Sequence, residues 1–405
     1  MRTLSLVAIA FLSFTAQPAA AAPNEVLFRI RPGHAIIGSK YGSLALFQAK
    51  MAQAAAGCGV AIAEPAKFAD GALGNGTLKL VAPLSTCRAI ATAGPGEITE
   101  GFWTAIAPDL APPTAVERAM IMSGANEATD YGDIEFNVGT KDSGVLTWGP
   151  RGATANEVLQ VQRILKAVDA LPGGKIDAAF GSEAGSVRAL AATRTAQSAT
   201  ALVTGVKADP TRSAQWKAGF SVLGADAAVR GVYDTLMAGR KMSGLSEAVD
   251  NFFRSYWAHC WRPTEVDYGF FYDRAVQITV YQAMADAALG HVQTLQTRAG
   301  RPLTPAERRR AVAANFTAGA AVWVYDRLAR DVAFYQDGVG QAALTNDSLW
   351  ALRLVEGPRP SGLKDELSVW RSRTGKLASD YGLSDDRYAP VPLTLAGRAP
   401  ACVAG

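Results

Sequence analysis

Residues 131–154 read YGDIEFNVGTKDSGVLTWGPRGAT, and the fold class turns on how they fold. Ile134, Phe136 and Val138 alternate, and so do Val145, Thr147 and Gly149. Between the two runs stand Gly139, Thr140, Lys141, Asp142, Ser143 and Gly144, mostly turn formers. A period of two on either side of a glycine-bearing turn predicts a β-hairpin. Upstream, Thr114 and Glu117 make a T-x-x-E capping box, with Val116, Met120 and Ile121 at helical spacing. A helix should open there and end near Asn126 or Glu127. Downstream, Thr154 and Glu157 repeat the box, and Val158, Val161, Ile164, Leu165 and Val168 form an apolar stripe. The local order is helix, hairpin, helix.

Away from this segment the chain reads as mostly helical. Helices are expected over 211–224, 226–239, 246–258, 269–297, 305–334 and 363–380, with Ser246 and Thr304 as N-caps. The nearly apolar run from Ala311 to Tyr325 is too short to span a bilayer and predicts a buried central helix. Residues 22–112 form an N-terminal region of uncertain role, with an apolar piece at Val26 to Ile30 and a helical stretch at Leu44 to Ala56. The Pro-rich segment Pro108 to Pro113 separates it from residues 113–405. The class is mainly α, or α+β with one small hairpin lobe.

Composition narrows the function. Of 405 residues, 49% are hydrophobic and 19% charged, which excludes a disordered, collagen-like or multi-span chain. A formal charge of +4 without a basic stripe excludes a dedicated nucleic-acid binder. Three His argue against a His-rich metal site. The run Leu4 to Ala16, behind Arg2 and before Ala19 to Ala22, reads as a signal peptide over 1–21. An uncleaved anchor is the alternative. No stable membrane span is expected, since spanning needs ~20 apolar residues. A periplasmic or secreted location makes the four cysteines a disulfide framework. Four cysteines allow three connectivities; Cys58 with Cys87 and Cys260 with Cys402 is the pairing expected. The first would staple the N-terminal region, and the second would tie the C-terminal tail to a helix.

Familiar catalytic motifs are absent: no H-E-x-x-H, G-x-S-x-G, Walker A or Rossmann fingerprint occurs. What stands out is carboxylates around the hairpin: Glu117, Glu127, Asp130, Asp133, Glu135 and Asp142. Glycosidic cleavage needs one carboxylic acid that keeps its proton and a second that stays ionised. A glutamate at a helix end beside Met122 and Ala125 suits the first role, because apolar surroundings raise its pKa. An aspartate in a polar turn between Lys141 and Ser143 suits the second. Glu127 is therefore the candidate general acid, Asp142 the base, and Thr147 the residue that positions water. Tyr131, Glu135, Asn137 and Trp148 are candidate substrate-binding residues, and Glu135 is also the alternative acid.

Helix ending in Glu, hairpin carrying Asp and Thr, then helix resembles the active-site lobe of the lysozyme-like superfamily, and within it the chitosanase family. That family runs Y-G-x-x-E into an Asp, a Thr five residues on, and a Gly; here these are Tyr131, Gly132, Glu135, Asp142, Thr147 and Gly149. Ser123 and Asn126 stand near Glu127 as they do near the family's acid. Trp257, Phe271, Arg274 and Gln277, and the later Tyr325-Asp326, are similar to further family segments. The resemblance covers about residues 114 to 335. It implies a two-lobed helical fold and hydrolysis of a β-1,4 bond in an amino-sugar polymer. The Glu127-to-Asp142 spacing is short for a chitosanase, and K-D-S-G replaces the family's D-G-R-G turn. The mildly basic charge suits anionic peptidoglycan better than cationic chitosan. A second likeness joins Asp70-Gly71-Ala72-Leu73-Gly74-Asn75 and Asp177-Ala178-Ala179-Phe180-Gly181-Ser182 through D-x-A-[FL]-G-[SN]. This resembles the small peptidoglycan-binding repeat.

The reading is an exported glycoside hydrolase acting on peptidoglycan or chitosan by Glu/Asp acid–base catalysis. A monomer is expected, with no metal and no organic cofactor implied. Room for a water between the carboxylates points to inversion, marked by a separation of ~6.5–9.5 Å against ~5 Å for retention. A lytic transglycosylase, needing Glu127 alone, and a non-catalytic glycan-binding envelope protein are the alternatives.

Overall fold

A computed structural model describes residues 25–31, 36–37, 42–91, 94–127, 131–139, 144–149, 152–155, 159–238, 245–277, 280–317, 330–335 and 376–403. The signal segment lies outside them. The N-terminal part runs β1 (Val26–Arg29), β2 (Ile36–Ile37), α1 (Gly42–Gly57), α2 (Pro65–Phe68), β3 (Leu73–Gly74), α3 (Asn75–Arg88), β4 (Glu97–Thr99) and α4 (Glu100–Ile106). Strand β1 pairs antiparallel with β4, and β2 with β3. Then come α5 (Ala115–Glu127) and the antiparallel sheet β5 (Ile134–Phe136), β6 (Leu146–Trp148) and β7 (Ala153–Thr154). Helices follow: α6 (Gln160–Asp169), α7 (Lys175–Phe180), α8 (Ala184–Ala192), α9 (Ala196–Ala208), α10 (Pro210–Ala225) and α11 (Ala227–Ala238). The last are α12 (Leu245–Ala258), α13 (Glu265–Gln277), α14 (Gln282–Ala299) and α15 (Pro305–Thr317). The chain is mainly helical with small sheets, as its periodicity predicts.

Caps explain where several helices begin. Thr114 N donates to Glu117 Oε2 at 2.7 Å, and Glu117 N donates to Thr114 Oγ1 at 3.2 Å, which closes the expected box at α5. Thr304 and Glu307 do the same at α15. Two other expected caps are corrected. Thr154 lies in β7, and α6 starts six residues later at Gln160, whose Oε1 accepts from Thr154 N at 2.8 Å. The strand pairing of Thr154 with Thr147 competes with helix capping and wins. Ser246 lies inside α12 rather than before it. The helix expected over 269–297 is two helices. The sequence Ile278-Thr279-Val280 is β-branched and stiff at χ1, and Tyr281 is extended at the start of α14. Of the helix expected over 305–334, Pro305–Thr317 is helical (α15) and Val332–Phe334 is a 3-10 turn; residues 318–329, with the second half of the apolar run from Ala311 to Tyr325, lie outside the described residues. Of 363–380, only 376–380 is described; Ala378–Tyr381 is a 3-10 turn.

Buried apolar side chains sort into two clusters. The first gathers Leu27, Phe47, Phe102, Trp103 and Ile121 with Phe252, Phe271, Phe334 and Val403. It joins the N-terminal region to the C-terminal half, so the Pro108–Pro113 turn does not divide two cores. The second is built by one continuous stretch, from Tyr131 to Met237. The stripe Val161, Ile164, Leu165 and Val168 of α6 faces it, each side chain at most 1% exposed. Ion pairs and disulfides fasten the first cluster. Arg118 on α5 reaches Glu25 at 2.9 Å and Gly382 O at 3.3 Å. Arg309 on α15 reaches Asp267 on α13 at 2.8 Å and Asp385 of the tail at 2.7 Å. Cys58 is bonded to Cys87 and Cys260 to Cys402, the pairing expected from the sequence. The first staples the end of α1 to α3, and the second holds the tail against the end of α12.

Candidate active site

The sheet presents two chemically different faces. Its register pairs Glu135 with Thr147 and Thr147 with Thr154, so these three residues share one face. Asn137, two positions beyond Glu135, joins them by the period-two rule. Its Nδ2 donates to Thr147 Oγ1 at 2.8 Å. Asn137 is buried and Glu135 exposed. The face is polar and runs from solvent into a covered hydrogen bond.

Ile134 pairs with Trp148 and Trp148 with Ala153, and these make the other face. It packs into the second core. Trp148 is 1% exposed and meets Phe220 of α10 and Tyr233 of α11 edge-on. Its Nε1 donates to Tyr131 O at 2.6 Å, and Tyr233 OH donates to Trp148 O at 2.9 Å. Tyr131, 2% exposed, donates its hydroxyl to Asp234 at 2.8 Å. Trp148 and Tyr131, expected to bind substrate, are therefore corrected to core residues whose polar atoms are spent on holding the sheet to α10 and α11. The structure brings together Glu135, Asn137 and Thr147, and sets Tyr131 and Trp148 behind them.

Glu127 is the last residue of α5, a few residues before β5. The side chains of Asn126 and Glu127, and the whole of Asp142, lie outside the described residues. So do Tyr325-Asp326. One helical turn before Glu127, Ser123 Oγ donates to Asp273 Oδ1 at 2.8 Å. Residues four apart lie on the same helix face, so Ser123 and Glu127 occupy one stripe. Asp273 belongs to a buried charge network across α13: Arg330 stands 3.7 Å from Asp273, and Arg274 reaches Asp331 at 3.1 Å. Arg274 is 1% exposed and Asp273 and Asp331 are 0% exposed. Arg274 also stands over the rings of Phe270 and Phe316. Ionised groups this deep are kept by pairing, because bare burial of either would be prohibitive. The stripe of α5 that ends at Glu127 is thereby pinned at Ser123.

The sequence reading singled out Ser123 and Arg274 but missed Asp273, Arg330 and Asp331. The available signal was a pair of inverted dipeptides, Asp273-Arg274 and Arg330-Asp331, the first inside the apolar run from Phe270 to Val276. Trp257 and Phe271, which carry part of the family resemblance, are core residues, as is Tyr256 beside them.

No family model, curated protein or solved structure matches the chain. Its own geometry defines a mainly helical, twice disulfide-tied chain. Among the described residues no helix is long and apolar enough to cross a membrane.

Proposed function

We propose that the chain is an exported glycoside hydrolase with a lysozyme-like two-lobed fold, cleaving β-1,4 bonds of an amino-sugar polymer, peptidoglycan or chitosan. One juxtaposition supports this reading. The last turn of α5, fixed at Ser123 by buried Asp273, leads within a few residues into a sheet whose polar face carries the Asn137–Thr147 hydrogen bond. In this reading Glu127 protonates the leaving oxygen and Asp142 takes the proton of the attacking water. Thr147 has a defined part. Asn137 donates into one lone pair of its Oγ1, which leaves one O–H and one lone pair to orient the water.

The test is to incubate the mature protein separately with chitosan and with purified peptidoglycan and to weigh the released fragments. Hydrolytic fragments from one polymer are the expected result. Glu127→Gln and Asp142→Asn should each lower turnover by about 10²–10⁴-fold. Fragments with anhydro ends that persist in Asp142→Asn identify a lytic transglycosylase instead. No soluble fragment from either polymer overturns the enzymatic reading in favour of a glycan-binding protein.

A further inference from the structure

The D-x-A-[FL]-G-[SN] motif occurs twice, and its two copies differ in what satisfies them. The first copy lies between α2 and α3, and α3 packs on α1; the second runs from inside α7 toward α8, and α8 packs on α6. The second copy is closed. Arg188 occupies both carboxylate oxygens of Asp177, at 2.8 and 2.6 Å. Arg212 and Trp216 of α10 occupy Glu183, just past the motif. Phe180 packs on Trp216 and Phe220.

The first copy is open and borders a cavity of about 450 Å³. That lies within the ~300–1,000 Å³ of small-molecule sites. Its wall is pre-ordered by Gln48, which is 1% exposed. Gln48 Oε1 accepts from Gly71 N at 2.7 Å, and Nε2 donates to Ala72 O at 2.8 Å and to Asp70 Oδ1 and Thr77 Oγ1, each at 3.2 Å. Asp70 Oδ1 also accepts from Ala72 N at 2.9 Å. Among the described residues, Asp70 Oδ2 takes no hydrogen bond and Lys79 makes no ion pair. Both residues line the cavity, over an apolar floor that includes Phe68 and Leu80. Helix α3 begins here behind Gly74, with no side-chain cap and no acidic residue in its first turn.

A held carboxylate and an ammonium stand exposed at the mouth of one cavity and match a ligand that carries both opposite charges. A neutral sugar could hydrogen-bond to both but neutralise neither, and a simple anion or cation would meet only one. We infer that this cavity binds a short zwitterionic peptide by both of its termini. The peptide's ammonium goes to Asp70, its carboxylate to Lys79 and the first-turn amides of α3, and an apolar side chain to the floor. The site does not depend on the glycosidic reading.

The experiment is a titration of the ¹⁵N-labelled full-length mature protein with the dipeptide Ala-Leu, its N-acetyl form and its C-terminal amide. The zwitterion should give saturable amide shifts confined to the neighbourhood of Gln48 and residues 61–80, with a millimolar Kd. Blocking either end should weaken binding at least tenfold, and so should Lys79→Ala or Asp70→Asn. The asparagine keeps Oδ1 for the Gln48 and Ala72 contacts, and Lys79 makes no ion pair to lose, so thermal midpoints should stay unchanged. Equal binding of the blocked and free dipeptides, or no saturable shift at millimolar peptide, overturns the proposal.

Discussion

Gly224 on α10 lies so close to the backbone of Tyr131 and Gly132 that a methyl group there would overlap main-chain atoms. Backbone cannot move aside as a side-chain tip can. Gly224→Ala should therefore cost about 3 kcal/mol, the upper range for overpacking, read as a lowered midpoint in chemical denaturation. Thr147→Val tests a different residue. It keeps the shape, removes the acceptor for Asn137, and leaves a buried amide N–H short of a partner. A loss of about 1–2 kcal/mol is expected by the same measurement. If the chain acts as the hydrolase proposed above, turnover should fall further than that stability loss accounts for, since Thr147 would no longer orient the water. These residues also show how far the site was legible. The hairpin itself was legible from alternation on both sides of a glycine-bearing turn. The phase of its return strand was not: alternation alone takes Val145, Thr147 and Gly149 as the set matching Ile134 and Phe136, whereas the register puts Leu146 and Trp148 with Ile134 and Phe136 and puts Thr147 with Glu135. Val145, Leu146 and Trp148 are all apolar, so this strand carries no clean parity of its own, and Trp148 was expected to bind substrate rather than to fill the core.

At the scale of elements, the capping boxes divide instructively. Thr114–Glu117 and Thr304–Glu307 each open a helix with no described strand pairing to either cap residue, so the local motif decides. Thr154 had a strand to pair with, and nonlocal hydrogen bonding decides instead. Charge makes the α15 cap sensitive to acid. The Arg301 guanidinium, 2.7 Å away, holds the Glu307 carboxyl down from its ordinary 4.5 to about 2. Folding thus favours the ionised form. The contribution is complete above about pH 4.5 and fades as the pH falls toward 2. Glu307→Gln should cost about 1 kcal/mol near neutrality, as cap losses do. It should also flatten the decline of the melting temperature between pH 4.5 and 2 relative to the parent chain. An unaltered slope there would show that the carboxylate does not feel Arg301 in solution.

Across the whole molecule, two disulfides and a set of buried ion pairs close long stretches of chain. The Cys58–Cys87 bond spans 29 residues and Cys260–Cys402 spans 142. Loop-closure entropy assigns about 4 kcal/mol to the first and about 5 kcal/mol to the second. Replacing both members of a pair by serine, followed by urea unfolding, should show the larger loss for Cys260 and Cys402. The even cysteine count and the expected export signal made this framework readable. The charge network was not readable, because Arg118 with Glu25, or Arg309 with Asp385, meet only through tertiary folding over 93 and 76 positions. For the same reason the Pro-rich turn at 108–113 looked like a boundary, although both its sides feed one core.

The two cores also differ in when they can be finished. Among the described residues, the second cluster is built entirely from residues 131–237, so this stretch can begin to collapse as soon as it emerges from the ribosome or a translocation pore. The other cluster needs residues up to Val403. Phe47 and Trp103 must therefore wait, with much of their final surroundings unmade, until nearly the last residue has been delivered. That interval is when the chain is most exposed to aggregation and to proteases, and an accompanying chaperone would matter most then.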